Sequence, residues 1–298
     1  MNENIVVTGA TGFVGSSYVK HLLKGEKYNI FVIVRPSSKL DNLESIGDQL
    51  HFFVYDEDLS KLVDFFKDIR PNIVIHFASL FIAEHEMKDV DLLVDSNIRF
   101  GLHILEAMSV AGVRKFINTG TSWQHYNNEK YNPVCLYAAT KQAFESLLEY
   151  YVEVVSFKAV TLELFDTYGE NDTRPKLINL LHKISDDHIE LNMSPGEQEL
   201  NLIHISDVCN AYDKAIEMIE NDFTENKHLK FDVSSDEVYK LKDIIDLFEK
   251  TSGKTINVVW GGRPYRKREV MNVWSGGNRL TNWKAKVKLS EGLKKYKG

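Results

Sequence analysis

The feature that most constrains this chain is the alternation of short apolar runs with longer amphipathic segments along its first half. The runs are rich in β-branched and aromatic residues, which predicts strands at 4–7, 29–34, 51–54, 72–77, 115–118 and 159–164. Between them, apolar residues at helical spacing predict helices at 13–23, 59–69, 92–107 and 138–151. This half therefore predicts an α/β fold, a doubly wound Rossmann sheet of parallel strands with helices on both faces.

The alternation becomes looser after Gly169. Helices are predicted at 174–184, 207–219 and 241–251, and short strands at 190–193, 200–203, 230–233 and 255–259. We divide the chain into a Rossmann domain at 1–168 and a smaller C-terminal α/β lobe at 169–298. Part of 204–234 is expected to pack back on the Rossmann sheet.

Composition excludes several classes of protein. The 298 residues are 43% hydrophobic, but no apolar run reaches the about 18 residues that predict a membrane-spanning helix, and no signal pattern opens the chain. The net charge of −7, without a dominant basic stripe, argues against a nucleic-acid partner. Neither the two cysteines, Cys135 and Cys209, nor the ten histidines show metal-ligand spacing. We expect a cytoplasmic protein that binds no nucleic acid, membrane or metal.

A glycine loop directly follows the first predicted strand. The segment TGATGFVG spaces its glycines as G-x-x-G-x-x-G at the start of a predicted helix. Glycine lets backbone N–H groups approach a pyrophosphate, and a helix N-terminus favours the negative charge. The loop therefore predicts a dinucleotide site, to which we assign Gly9, Thr11, Gly12, Phe13, Val14 and Gly15.

The residue after the second strand indicates which dinucleotide binds. An acidic residue there accepts hydrogen bonds from the ribose 2′-hydroxyl, whereas an arginine favours a 2′-phosphate. The segment VIVRPSS has Arg35 at this position and Ser38 nearby, which favours NADP over NAD, although Arg35 could instead face solvent. Asp56, at the end of the third strand, is a candidate acceptor for the adenine amino group or a plain turn aspartate.

The segment LYAATK places Tyr137 and Lys141 one helical turn apart. A phenol has an ordinary pKa of about 10, and a nearby ammonium lowers it. Tyr137 is therefore a candidate proton donor to a carbonyl oxygen, and Lys141 a candidate ligand of the nicotinamide ribose. The segment FINTGTSWQHY, expected to follow the fifth strand, offers hydroxyls of Thr119, Thr121 and Ser122 to polarise that carbonyl.

Together these motifs resemble the extended short-chain dehydrogenase/reductase (NAD-dependent epimerase/dehydratase) family, which acts mainly on nucleotide sugars. The resemblance spans nearly the whole chain, through TGATGFVG, NIVIHFAS, YAATK, LFDTYGE, NLIHISDV, RLTNW and LSEGL. The segment GTS before YAATKQ, with R-x-x-E-V-M at 266–271, is most similar to the CDP-abequose and CDP-paratose synthase branch. That branch reduces the 4-keto group of a CDP-linked deoxy sugar with NADPH.

The resemblance implies roles for further residues. It assigns catalysis to Ser122, Tyr137 and Lys141, with Thr121 as the reserve hydroxyl. It adds to the cofactor site Ala78, Ser79, Asn97, Tyr137 and Lys141. It assigns substrate binding to Thr121, Trp123, Gln124, Asp166 and Arg266, with the arginine at the diphosphate.

Departures from the family pattern separate possible reactions. Trp123 and Gln124 stand where sugar-nucleotide dehydratases carry Asp-Glu, and neither side chain can serve as the acid or base of a dehydration. They are expected to contact the sugar, or else to pack locally. Asp166 replaces a usual asparagine, and Leu200 replaces a usual arginine, which removes one expected phosphate contact.

The expected activity is NADPH-dependent reduction of the 4-keto group of a nucleotide-linked, CDP-type deoxy sugar, as in the synthesis of bacterial surface polysaccharides. One alternative is a nucleotide-sugar 4-epimerase with tightly bound NAD(P), and another is a non-catalytic protein that senses the cofactor. The resemblance also implies a homodimer through the helices at 97–108 and 138–151, unless those helices are buried within one chain.

Overall fold

The computed structural model describes residues 2–187, 189–221 and 228–295. The chain forms two compact units. The first unit comprises Met1–Thr121, Cys135–Glu163 and Ala211–Phe231, and the second comprises Ser122–Val134, Leu164–Asn210 and Asp232–Gly298. The sequence analysis divided the chain at a single point, after residue 168, and that division remains a prediction.

The strands are, in chain order, β1 (Glu3–Thr8), β2 (Tyr28–Val34), β3 (His51–Val54), β4 (Ile73–His76), β5 (Lys115–Thr121), β6 (Lys158–Leu164), β7 (Asp166–Tyr168), β8 (Leu191–Met193), β9 (Glu199–Leu200), β10 (Leu202–His204), β11 (His228–Val233), β12 (Tyr239–Lys240) and β13 (Val258–Trp260). The α-helices are α1 (Phe13–Leu23), α2 (Leu59–Ile69), α3 (Val90–Val94), α4 (Phe100–Ala111), α5 (Leu136–Val155), α6 (Leu177–Asp187), α7 (Ile205–Asn221), α8 (Leu241–Ser252) and α9 (Leu289–Lys295).

A seven-stranded sheet in the order β11-β6-β5-β4-β1-β2-β3 forms the centre of the first unit. The pairs β1–β2, β1–β4, β2–β3 and β4–β5 are all parallel. The order runs outward in both directions from β1 and β4, which makes the gap between their carboxyl ends the topological switch point where such sheets bind ligands. The predicted doubly wound Rossmann fold is confirmed.

Helices pack on both faces of this sheet. On one face, Phe66 of α2, Met108 of α4 and Phe144 of α5 are buried against strand residues such as Val74 and Phe116. On the other face, Tyr18 of α1 packs against Tyr212 of α7, with ring centroids 5.3 Å apart. The sheet is therefore buried on both sides, which explains why its strands read as continuous apolar runs.

Two predicted elements differ from the structure in ways that affect the site. The predicted fifth strand, 115–118, continues to Thr121, so Thr119 and Thr121 lie in the strand and do not follow it. The predicted helix at 92–107 is interrupted by a π-helical turn at Asp95–Arg99 between α3 and α4. Apolar periodicity does not distinguish a π turn from regular helix, because one extra residue shifts the pattern only slightly.

The second unit has its own apolar core, in which α6, α8 and α9 pack around Tyr168, Met193 and Leu202. Its strands pair as β7–β10 and β8–β13 in parallel and as β9–β12 in antiparallel. The predicted strand at 200–203 is split into β9 and β10 at Asn201, whose side chain bonds to the backbone of Ser235. Within the described ranges, no helix has the length and apolar character needed to cross a membrane.

Bare backbone at Gly9 allows β1, β4 and α1 to meet closely. A Cβ atom at Gly9 would lie 2.5 Å from the backbone nitrogen of Ala78, in the segment after β4, and Gly9 has a φ of +68°. Residues with a side chain rarely adopt this left-handed backbone, and a Cβ essentially never lies this close to a backbone atom unless the neighbouring segment moves. Gly12 differs, because its φ is −79° and a Cβ there would meet only the carbonyl oxygen of Gly9 at 3.4 Å.

We predict that Gly9→Ala lowers the free energy of unfolding by about 3 kcal/mol, the sum of a left-handed backbone cost and overpacking against Ala78. Gly12→Ala is the matched control and should cost about 1 kcal/mol or less, since its backbone is extended and its surroundings are open. Urea denaturation of both variants measures the difference. Equal losses would show that the approach to Ala78 does not constrain the loop.

Candidate active site

A cavity of about 700 Å³ opens at the switch point of the sheet, entirely within the first unit. This volume is within the usual range for ligand pockets, roughly 300–1,000 Å³. The predicted cofactor residues that line it are Gly9, Thr11, Gly12, Arg35, Ser38, Asp56, Ala78 and Ser79. The loops after β1, β2, β3 and β4 are thus brought together at one edge of the sheet.

The N-terminus of α1 lies at this cavity and suits a pyrophosphate. Gly12 is the N-cap residue, and no side chain caps the helix. The first N–H groups of a helix have no acceptor inside it, so they remain available to an anion. The residues present therefore fit the phosphates of a dinucleotide.

Three further residues of the loop do not line the cavity. Phe13 and Gly15 are buried and Val14 is half-buried. A Cβ at Gly15 would lie 2.3 Å from the carbonyl oxygen of Gly9, so this glycine allows the helix to pack on the loop. Any contact of Phe13, Val14 and Gly15 with a cofactor remains a prediction.

The other end of the cavity is lined by charged side chains that differ in their pairing. Asp56 accepts from Lys61 at 2.5 Å, and this hydrogen bond lowers the pKa of Asp56. Glu57 and Asp95 both pair with Arg99, at 3.0 and 3.1 Å. Within the described ranges, no carboxylate pairs with Arg35, which is exposed at the end of β2. The cation available to an additional anion at this end is therefore Arg35.

Asn97 joins the loop after β4 to helix α5. It lies in the π-helical turn, is 1% exposed, and its side-chain oxygen accepts from the backbone N–H of Leu80 at 2.6 Å. Its amide nitrogen donates to the Leu80 carbonyl at 3.0 Å and to the Thr140 hydroxyl at 2.9 Å. Asn97 does not line the cavity; it supports the segment that does.

Helix α5 presents both members of the predicted pair. Tyr137 and Lys141 are 9% and 1% exposed, and neither lines the cavity itself. The hydroxyl of Thr140 donates to the carbonyl of Tyr137 at 2.7 Å, which links the tyrosine to Asn97. The ring of Phe81 meets that of Tyr137 edge-on, with centroids 5.0 Å apart.

Burial determines the charge of the groups near Lys141. Burial lowers the pKa of Lys141 to about 8, against the raising effect of the Glu145 carboxylate. His76 of β4 is fully buried, and burial together with the charge of Lys141 lowers its pKa to about 3. The imidazole is therefore neutral, and its Nδ1 lies 2.9 Å from the hydroxyl of Thr8. Lys141 is largely an ammonium at neutral pH.

The predicted substrate residues, apart from Thr121, belong to the second unit. Ser122, Trp123 and Gln124 form a short 3₁₀ turn, in which Gln124 is fully buried. The guanidinium of Arg266 lies 5.2 Å from the centroid of the Trp123 ring. Glu269 holds the same guanidinium through contacts of 2.7 and 3.1 Å. Trp123 and Arg266 therefore lie side by side, and their assignment to the substrate remains a prediction.

Asp166 lies at the start of β7, where it lines a small cavity of the second unit with Lys176. Burial lowers the pKa of Lys176, against the raising effect of Asp166. Thr121 is buried at the end of β5, and the hydroxyl of Thr119 pairs with that of Tyr212 at 2.7 Å. Thr119 is thus engaged in the packing of α7, unlike the free hydroxyl expected of it.

The sequence analysis missed several residues at the site. Thr140 could have been found from the spacing Tyr-x-x-Thr-Lys, since a residue three positions after Tyr137 shares its helical face. Phe81 and Arg99 had no sequence signal, because their contacts depend on the path of the loop after β4 and on the π turn. Within the described part of the chain, no group of three or more His, Cys, Asp or Glu side chains is arranged to hold a metal ion.

The chain is similar to known proteins over nearly its whole length. The chain is 27% identical over 271 residues to CDP-abequose synthase of Yersinia pseudotuberculosis, which covers 90% of each chain. It is 25% identical to CDP-abequose synthase of Salmonella muenchen, over 99% of this chain and 97% of that protein. The similarity extends over nearly the full length of both relatives.

Solved structures show the same architecture. The UDP-glucuronic acid 4-epimerase of Bacillus cereus, solved with UDP-glucuronic acid and NAD, superposes with a TM-score of 0.84 at 25% identity, over 97% of this chain and 96% of that chain. Residues 5–228 match the family described as "NAD dependent epimerase/dehydratase family". The chain therefore belongs to the NAD dependent epimerase/dehydratase family and is an enzyme of that NAD(P)-dependent family.

Proposed function

We propose that this enzyme reduces the 4-keto group of a CDP-linked deoxy sugar with NADPH. The observation that carries the proposal is the pairing of charges in the cavity, where the acidic side chains are engaged by Lys61 and Arg99 while Arg35 is left for an anion. A 2′-phosphate is the group that distinguishes NADP from NAD. The similarity to CDP-abequose synthases supports a CDP-linked sugar as substrate.

The proposed roles of the catalytic residues follow from their chemistry. A nicotinamide dinucleotide, when bound, exchanges a hydride with the carbonyl carbon. Tyr137 delivers a proton to the carbonyl oxygen, and the nearby ammonium of Lys141 favours the phenolate that remains. Ser122 donates a hydrogen bond to the same oxygen, which stabilises the developing negative charge. Lys141 also binds the nicotinamide ribose.

In the second unit, Arg266 is proposed to bind the substrate diphosphate. Its contacts with Trp123 and Glu269 restrict the guanidinium, so less freedom is lost when a phosphate binds. Trp123 and Gln124 provide an indole surface and an amide for the sugar. Neither can protonate a leaving hydroxyl or remove a carbon-bound proton, which argues against dehydration.

A nucleotide-sugar 4-epimerase is the second candidate. It is favoured by the structural similarity to the Bacillus cereus epimerase, which was solved with NAD. An epimerase uses the same proton-transfer groups but returns the hydride to the sugar, so its cofactor is not consumed. The two candidates therefore differ in net cofactor turnover.

We also propose a homodimer formed through α4 and α5, in the cytoplasm. Val110, Tyr150 and Val154 are 50%, 59% and 63% exposed on these helices. Large apolar side chains on neighbouring helices are typical of an interface with a second subunit.

We predict that one NADPH is consumed for each sugar nucleotide converted, measured by the loss of reduced-nicotinamide absorbance against product formed. Tyr137→Phe should lower turnover by at least about two orders of magnitude, the usual contribution of a positioned general acid, and should still bind cofactor. Tyr28→Phe, at the amino end of β2 and away from the cavity, is the control and should be unaffected. Conversion without net loss of NADPH would identify an epimerase.

We predict that Arg35→Asp weakens NADPH binding by about tenfold to a hundredfold, the contribution of one charged hydrogen bond, and leaves NADH binding unchanged or stronger. Lys39→Asp makes the same charge change on an exposed residue that does not line the cavity, and it should have little effect. Titration of both dinucleotides measures the preference. Equal or tighter binding of NADH by the unmodified enzyme would overturn the assignment.

A further inference from the structure

A buried carboxylate on α5 has no part in the chemistry described above. Glu145 is 0% exposed, and it follows Lys141 by one helical turn, so both lie on the same face of the helix. Charged side chains are seldom fully buried unless other groups compensate them. The partners of Glu145 should therefore indicate what it does.

One partner comes from the edge of the sheet. Lys230 of β11 places its Nζ 2.9 Å from Oε2 of Glu145, and the lysine side chain is 38% exposed. Burial alone would lower the pKa of Lys230, but the charges of Glu145 and Glu163 outweigh it and raise that pKa. Lys230 is therefore a stable ammonium that occupies one oxygen of the carboxylate.

The other oxygen of Glu145 lies beside bare backbone. A Cβ at Gly120 would be 3.3 Å from Oε1 of Glu145 and 2.9 Å from Cγ of Glu163. Gly120 precedes Thr121, the last residue of β5, so the carboxylate sits beneath the strand end that leads into the proposed catalytic turn. The absence of a side chain at Gly120 leaves room for the Glu145 carboxylate.

The remaining titratable groups nearby do not replace Glu145. His76, on β4, is neutral and therefore contributes no charge next to Lys141. Glu149 and His228 pair with each other at 2.7 Å, a further turn along α5. Glu163, on β6, acts on Lys230. The negative charge that acts on Lys141 is that of Glu145.

We infer that Glu145 is a positioning residue of the active site, whose buried carboxylate lies between Lys141 and Lys230 and holds Lys141 as an ammonium. The positive charge of Lys230 offsets part of the negative charge of Glu145. Lys230 therefore limits how far Glu145 raises the pKa of Lys141. This role of Glu145 rests on the proposed function in one respect, because the proposed function is what gives Lys141 a part in the reaction.

Substitutions at Glu145 and at Lys230 should shift the pKa of Lys141 in opposite directions. Glu145→Gln removes the negative charge with little change of shape, so the pKa of Lys141 should fall by roughly one unit, the lower end of the effect of a neighbouring opposite charge. Lys230→Met leaves the carboxylate to Lys141 alone, so the pKa of Lys141 should rise. Glu145→Asp keeps the charge and should restore most of the unmodified behaviour.

An NMR titration of the Lys141 ε-methylene signals across neutral to alkaline pH, on the full chain without substrate, measures the midpoint for Lys141. A midpoint unchanged in Glu145→Gln, or lowered in both Glu145→Gln and Lys230→Met, would overturn the inference. Lys230 is partly exposed, so Lys230→Met tests the inference even if the buried Glu145→Gln fails to fold.

The pH profile of kcat separates this inference from the proposed function. If Lys141 acts in the reaction, the alkaline limb should move down in Glu145→Gln and up in Lys230→Met, together with the NMR midpoints. Midpoints that move while the kcat profile does not would support the role of Glu145 and remove Lys141 from the chemistry.

Discussion

The close contact of bare backbone at Gly9 with the segment after β4 is the constraint on which the rest of the site depends. With a Cβ-free residue at this point, the loop after β1 can lie against Ala78, and α1 can begin directly above the carboxyl ends of the strands. The loops that follow β1 to β4 line one cavity because these four strands end at the same edge of the sheet. Any side chain at Gly9 would separate them and move the helix N-terminus away from the place of the phosphates.

Helix α5 combines chemistry and support on one buried face. Tyr137 and Lys141 lie one turn apart, Thr140 ties the helix to Asn97, and Glu145 continues the same face toward β11. A lysine buried this deeply is harder to keep protonated without a nearby carboxylate. Helix α5 therefore carries both Lys141 and Glu145, the carboxylate that acts on it.

The sequence analysis predicted the Rossmann sheet because alternating periods of two and 3.6 residues are a local signal of parallel βαβ units. Eight of the twenty residues that line the cavity were also predicted as cofactor residues, since a glycine loop and strand ends have fixed places in this fold. The boundaries of α1, α2 and β3 were predicted without error.

The features that the sequence analysis missed arise from contacts between distant segments. The π turn at Asp95–Arg99 leaves no mark in apolar periodicity, and the continuation of β5 through Thr121 depends on pairing within the sheet. The Glu145–Lys230 pair joins residues 85 positions apart, which no spacing pattern reveals. The Arg99–Glu57 ion pair, which helps to leave Arg35 available, likewise appears only once the π turn and the loop after β3 are folded together.

We propose that the enzyme delivers a hydride to a sugar C4 and does not take it back. NADPH deuterated at the transferable position of its nicotinamide, incubated with a CDP-linked 4-keto deoxy sugar and the enzyme, tests this claim most directly by NMR of the product. We expect a deuterium bound to C4 in a single configuration, with an equal amount of oxidised cofactor formed. A product that carries no deuterium at C4, or one formed without oxidised cofactor, would contradict it.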